Sequence, residues 1–249
     1  MWEAGTGELL VESPYPETYL FDARWSPDGS KIIGTDWWEE GKVAVYDADT
    51  LEELFAFYVR GWAGVAQFSP DGERIAVTSF SGEASIRDAE TGEVMLQLFS
   101  EDYIDQASGV VWTSDGKKVL VFSMGTGHLF DAKTGEDLMQ YVGHTSAVFS
   151  LIWSPDERLI YTASGDGTAR VFDVTTGKEL LVYNVGGWTE AALSPDGKKL
   201  FVYSGEGTGY VFPTWDNVET LVAYARECCV IRELTPEERE QFGLPPAQD

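Results

Sequence analysis

Residues 143–173 read GHTSAVFSLIWSPDERLIYTASGDGTARVFD, and this stretch decides the fold. A Gly-His pair opens it. Val148 to Trp153 then alternates, with apolar side chains at the inward positions. Ser154-Pro155-Asp156 is turn chemistry: Pro presets the first turn dihedral and Asp caps the turn. A second strand is expected from Leu159 to Ser164, a tight turn at Asp166-Gly167, and a third strand ending at Phe172-Asp173. A period near two, broken by turn residues, is the signature of short antiparallel strands.

The same pattern runs through the chain. The first turn recurs at Ser26-Pro27-Asp28-Gly29, Ser69-Pro70-Asp71-Gly72, Thr113-Ser114-Asp115-Gly116, Ser154-Pro155-Asp156-Glu157 and Ser194-Pro195-Asp196-Gly197, in steps of 43, 44, 41 and 40 residues. Before these turns stand Trp25, Phe68, Trp112, Trp153 and Leu193, bulky residues at one phase that read as packing between repeats. The third-strand ending recurs as Trp2-Glu3, Tyr46-Asp47, Arg87-Asp88, Phe130-Asp131, Phe172-Asp173 and Phe212-Pro213. A Thr-Gly-Glu-like turn follows it at Thr6-Gly7-Glu8, Thr50-Leu51-Glu52, Thr91-Gly92-Glu93, Thr134-Gly135-Glu136 and Thr176-Gly177-Lys178.

The Gly-His opening, the aromatic-Asp ending and the spacing resemble the WD-repeat family of β-propellers, whose repeats of about 40–45 residues each form a four-stranded blade. The resemblance covers about residues 1–213. It implies an all-β β-propeller, most often of seven blades in that family, whereas the repeats counted here give five four-stranded WD-like blades closed by the N-terminal strand, with a short α-helical tail over residues 214–249. It also implies a polar tetrad of His, Ser/Thr, Asp and Trp that stitches each blade. Only the fourth repeat keeps most of it, as His144, Thr162 or Ser164, and Asp166, with Phe172 where the family has an indole. The other repeats lack the Gly-His pair and are expected to rely on apolar packing.

The chain begins inside a third strand, so residues Glu8 to Glu12 form an orphan outer strand, and the last repeat stops at Pro213 before a fourth. An open sheet edge invites aggregation, so closure is expected. Three arrangements satisfy the count: a tight five-bladed ring, two chains closing one larger ring by strand exchange as a homodimer, or part of a longer protein.

From Asp216 the period becomes helical, with a capping box at Asp216 and Glu219 and an apolar stripe through Val218, Leu221, Val222, Ala225 and Cys229. A second helix start reads Thr235-Pro236-Glu237-Glu238. This tail resembles the one that closes many large bacterial WD-repeat proteins. The two cysteines, Cys228 and Cys229, are adjacent, which gives neither a disulfide framework nor metal-ligand spacing.

Seventeen Lys and Arg against 42 Asp and Glu give a net charge of −25, which repels phosphate backbones and anionic lipid and suits a basic partner. A solvating acidic coat is the plainer reading of the same numbers. No apolar run approaches the ~18 residues of a membrane span and residues 1–12 carry no signal core, so a soluble, cytoplasmic protein is expected.

Enzyme signatures are absent. His128 and His144 stand in different repeats at different phases, and no phosphate loop, nucleophile elbow or zinc-protease motif occurs. No catalytic residue, cofactor or metal is expected. Gly205-Glu206-Gly207-Thr208-Gly209 is Gly-rich but falls in a strand-to-strand turn, where glycine serves the dihedrals.

Aromatic residues in the connecting segments are the better lead. Tyr19, Trp37, Trp38, Trp62, Tyr103, Phe149 and Trp188 fall on loops that the resemblance places on the binding face. Aromatic side chains dominate interface hot spots because they bury much area at small entropic cost. Acids beside them, such as Glu39, Glu40, Glu101, Asp102 and Asp105, suit a protein or peptide with basic residues. The leading expectation is a non-catalytic interaction scaffold. The alternatives are a small-ligand or glycan binder at the ring mouth, and a regulatory fragment that docks on a signalling NTPase or kinase through its C-terminal helix.

Overall fold

The computed structural model describes residues 5–7, 9, 20–36, 41–99 and 107–215. The chain divides into two compact units, Met1–Phe212 and Pro213–Asp249. The orphan strand at Glu8–Glu12, apart from an isolated bridge at Leu9, and the tail helices from Asp216 lie outside the described residues.

Among the described residues there are nineteen strands, and each sheet is a run of consecutive hairpins. The first sheet holds β1 (Leu20–Trp25), β2 (Lys31–Asp36), β3 (Lys42–Asp47) and β4 (Glu53–Tyr58). The second holds β5 (Ala63–Phe68), β6 (Arg74–Ser79), β7 (Ala84–Asp88) and β8 (Val94–Gln97). The third holds β9 (Ala107–Trp112), β10 (Lys118–Ser123), β11 (Thr126–Asp131) and β12 (Asp137–Val142). The fourth holds β13 (Val148–Trp153), β14 (Leu159–Ser164), β15 (Thr168–Asp173) and β16 (Glu179–Asn184). The fifth has three strands among the described residues, β17 (Thr189–Leu193), β18 (Lys199–Ser204) and β19 (Thr208–Pro213). The recurring turns set these hairpins, as the sequence predicts.

Each turn is locked by its own side chains. In the first, the Ser26 hydroxyl donates to Asp28 at 2.6 Å while the Gly29 amide donates to the Ser26 carbonyl at 3.0 Å. Ser69, Thr113, Ser154 and Ser194 repeat the contact with Asp71, Asp115, Asp156 and Asp196. The later turn uses Asp47, Asp88, Asp131 and Asp173, each accepting from the backbone and hydroxyl of a Thr three residues on. These bonds stabilise the ionised carboxylate. The Ser26 hydroxyl, with Ser30, holds Asp28 down to about 2. The Lys117 amide and the Thr113 hydroxyl do the same for Asp115, also to about 2. Part of the acidity is therefore structural.

The sheets pack face to face in chain order, the first strand of each lying against the preceding sheet. Alternation along the second strands explains the cores. Ile75 and Val77 of β6 join Ile33, Val43 and Val45 of the first sheet, while Ala76 of the same strand joins Val119 and Val121 of the third. Leu120 and Phe122 then meet Ile160, and Tyr161 and Ala163 meet Leu200 and Val202. Phe68 and Trp112, both before a turn, are buried as expected, and the Trp112 Nε1 donates to the Gln67 carbonyl of the preceding sheet at 3.2 Å. Trp25 departs from this: it is 54% exposed, because no described sheet precedes the first. β17 and β1 make no contact comparable to those between successive sheets.

Candidate functional site

The fourth sheet carries the polar network foreseen at His144. Its Nε2 lies 2.7 Å from the Thr162 hydroxyl and its Nδ1 2.9 Å from Asp166 Oδ2. Asp166 cannot donate, so the neutral ring donates from Nδ1 and accepts from Thr162 at Nε2. The Thr145 amide donates to Asp166 at 3.0 Å, and Thr168 donates its hydroxyl to the other carboxylate oxygen at 2.6 Å. Arg170 Nε donates in turn to Thr168 at 3.1 Å, and its guanidinium pairs with Glu179. Burial pushes the His144 imidazole below its ordinary pKa, against the pull of Asp166. Burial works to raise Asp166, yet bonds from Thr168, Thr145 and His144 hold its carboxyl below the ordinary carboxylate value.

Thr162, not Ser164, is thus the hydroxyl partner. Ser164 instead donates to the Ser146 carbonyl at 3.2 Å, and its own backbone is taken by Thr189 of the fifth sheet. The Thr189 hydroxyl accepts from the Ser164 amide at 2.9 Å and reaches the carbonyls of Ser164 and Thr168 at 2.8 and 3.0 Å. In place of an indole, Phe172 packs edge-on against His144 and Tyr141 with ring centroids 6.4 and 6.0 Å apart. This constellation is a buried stitch and exposes no reactive atom.

Two other sheets have polar stitches that motif reasoning missed. Arg87, in the aromatic position of β7, is buried, pairs with Glu83 at 2.9 Å and lies 4.7 Å over the Phe57 ring of the first sheet. Its NH1 donates to the Gly92 carbonyl at 3.0 Å. In the third sheet, His128 Nδ1 lies 2.8 Å from Asp137 Oδ2 and the ring stacks on Phe130. Apolar packing is therefore supplemented by polar contacts in these sheets: Glu83 stands four residues before Arg87 in the chain, and Asp137 reaches His128 across the β11–β12 hairpin.

Of the seven candidate binding aromatics, Tyr19, Trp37, Trp38 and Tyr103 lie outside the described residues. Trp62, Phe149 and Trp188 are about half exposed. Trp62 and Trp188 hold equivalent places: each precedes the first strand of its sheet, and each carbonyl accepts an amide from the following hairpin, Phe80 or Gly205. Trp62 belongs to the second sheet. Phe149 and Trp188 come together, with ring centroids 6.5 Å apart and planes at 83°. An irregularity in the β13–β14 register between Val148 and Ser150 takes Phe149 out of the ladder.

The structure adds Tyr203, which the sequence reading overlooked. Its ring centroid is 5.7 Å from that of Trp188, at an angle of 67°. Glu190 pairs with Tyr203 across β17 and β18 and shares its face, and Glu206 follows on the hairpin turn. Both carboxylates are exposed, and neither is in an ion pair among the described residues. The result is an indole with two aromatic rings set edge-to-face against it and acids beside the group.

A concavity of about 640 Å³ lies between the first turns of the first two sheets and is lined by Asp28, Lys31, Asp71, Glu73 and Asp88, among others. Three of those carboxylates are spent on the turns described above, which leaves it little free chemistry. Among the described residues no group of three or more His, Cys, Asp and Glu is placed to hold a metal ion.

Comparison with known proteins agrees with the repeat geometry. The family description "WD domain, G-beta repeat" matches residues 135–173, the span that holds the His144 network. Over 158 residues the chain is 29% identical to the serine-threonine kinase receptor-associated protein of Gallus gallus, an alignment covering 63% of this chain and 43% of that one. Residues 135–173 therefore carry a WD repeat, and the chain around them is similar to WD-repeat proteins. Its similarity to the guanine nucleotide-binding protein G(I)/G(S)/G(T) subunit beta-1 of Homarus americanus is 25% over 60% of this chain and 44% of that one. With the APC/C activator protein CDC20 of Saccharomyces cerevisiae it shares 24% over 72% and 31%. The chain therefore aligns with less than half the length of each of these relatives.

Proposed function

We propose that this protein is a non-catalytic interaction scaffold whose recognition surface includes Phe149, Trp188 and Tyr203, and that its partner is a protein or peptide segment carrying basic residues. The observation that carries the reading is the exposed aromatic set itself. Large rings left about half exposed beside unpaired carboxylates contribute little to the core and much to a desolvated contact. The net charge of −25 steers a basic partner toward the surface and a nucleic acid away from it. The relatives' printed names, a receptor-associated protein, a subunit and an activator, belong to proteins that act on or with others. Fold alone would not license the reading.

The test is capture of partners by tagged wild-type protein and by Trp188→Ala, with thermal unfolding of both recorded. We expect the variant to unfold as the wild type does and to lose a captured partner. An unchanged set of partners contradicts the reading.

The same reading expects one chain to complete its own fifth sheet, which has three strands among the described residues. A solution mass near 27.5 kDa is then expected. Twice that mass would instead favour strand exchange between two copies.

A further inference from the structure

Trp188 lies flat across the backbone of Gly205. A Cβ added to Gly205 would come within 2.0 Å of the indole Nε1, so the absent side chain makes the seat for the ring. Gly205 is not in the left-handed region, which means its glycine serves this close approach and not a turn dihedral. One face of the indole is thereby covered and the residue stays 46% exposed. Phe149 and Tyr203 stand nearly upright to it, and Glu190 and Glu206 flank the group.

Aromatic rings clustered in this way attract a cation through their quadrupoles. The two carboxylates narrow the choice. A fully methylated ammonium has no N–H to offer them. A lysine ammonium is compact and strongly hydrated. A guanidinium is planar and weakly hydrated, stacks on an indole, and keeps five N–H donors in its plane for carboxylates at the rim.

We propose that the Trp188 site takes an arginine side chain of the partner, with the guanidinium stacked on the indole and its N–H groups directed to Glu190 and Glu206. This inference rests on the scaffold reading and names the chemistry that its aromatic set recognises.

The experiment is an NMR titration of the full 15N-labelled chain with N-acetyl-arginine amide, followed on the indole N–H signals. Nine tryptophans give nine such signals, and the Trp188→Phe variant identifies the one that matters. Trp62 holds the equivalent place in the second sheet and serves as the internal control. The Trp188 signal is expected to shift saturably, with roughly threefold or weaker binding of N-acetyl-lysine amide. Glu190→Gln with Glu206→Gln should weaken the arginine response, and Gly205→Ala, which displaces the indole, should abolish it. A Trp188 signal that does not move overturns the proposal. So does an equal response to the lysine amide, or a response untouched by the carboxylate variants, since either marks general attraction to an acidic protein. Loss of captured partners in Trp188→Ala would still uphold the scaffold reading in those cases, so the two can fail separately.

Discussion

β14 and β18 follow the same Ser-Pro-Asp turn, have the same length and are both rich in apolar residues, yet they meet different surroundings. Every residue of β14 is buried, whereas β18 alternates, with Leu200, Val202 and Ser204 buried and Phe201 and Tyr203 exposed. The difference lies in the neighbours. The fourth sheet is packed between the third and the fifth, while the fifth has a described neighbour on one face only. Tyr161 and Phe201 hold the same phase, but Tyr161 is 3% exposed and Phe201 44%. A strand's composition makes it fit to be buried; only the next sheet decides whether it is.

The largest effect that separates the two sheets is expected on their third strands. Phe172 is fully buried and Phe212 only partly, at equivalent positions. Phe172→Ala should cost about 3–5 kcal/mol and Phe212→Ala roughly half of that or less, as read from urea unfolding. Similar costs would break the comparison. Next comes the network that the fifth sheet lacks. His144→Ala leaves the buried Thr162 hydroxyl only its long bond to the Arg170 carbonyl and takes a donor from Asp166, a loss of about 2–4 kcal/mol. If the variant unfolds like the wild type, the stitch adds nothing to packing.

A smaller effect follows from protonation. The His144 imidazole has a lower pKa folded than unfolded, so the unfolded chain binds the proton first and stability declines as pH falls below about 6.5. Asp166 and the turn aspartates are also depressed, and their contribution is lost only at pH below about 4. Urea midpoints between pH 7.5 and 5 should fall in the wild type and flatten in His144→Gln. A fall of equal size in the variant would place the titrating group elsewhere.

Much of this architecture was legible in the residues. The Ser/Thr-x-Asp turns and the alternation around them locate every described hairpin, because turn dihedrals and strand period are local properties. His144 and Asp166 were legible for the same reason: each sits beside a marked turn. The choice between Thr162 and Ser164 was not. Both are small hydroxyl residues on one strand, and Ser164 is diverted by Thr189, a residue of the next repeat. The meeting of Phe149 with Trp188 depends on the register irregularity after Val148, for which the sequence has no local sign. Tyr203 escaped notice because Leu200-Phe201-Val202-Tyr203 is apolar throughout, and such a run does not say which face lacks a neighbour. Arg87 was visible as an oddity in an aromatic position, but its partners come from three separate segments.

The most direct test of the account is a paired measurement of urea unfolding for Tyr161→Ala and Phe201→Ala. An aromatic ring packed between two sheets should cost about 3 kcal/mol or more when removed, and one on an open face about 1 kcal/mol or less. That inequality is the result predicted here. Equal, large losses would mean that the outer face of the fifth sheet is covered in solution, and would remove the ground for reading its aromatic rim as a surface kept open for a partner.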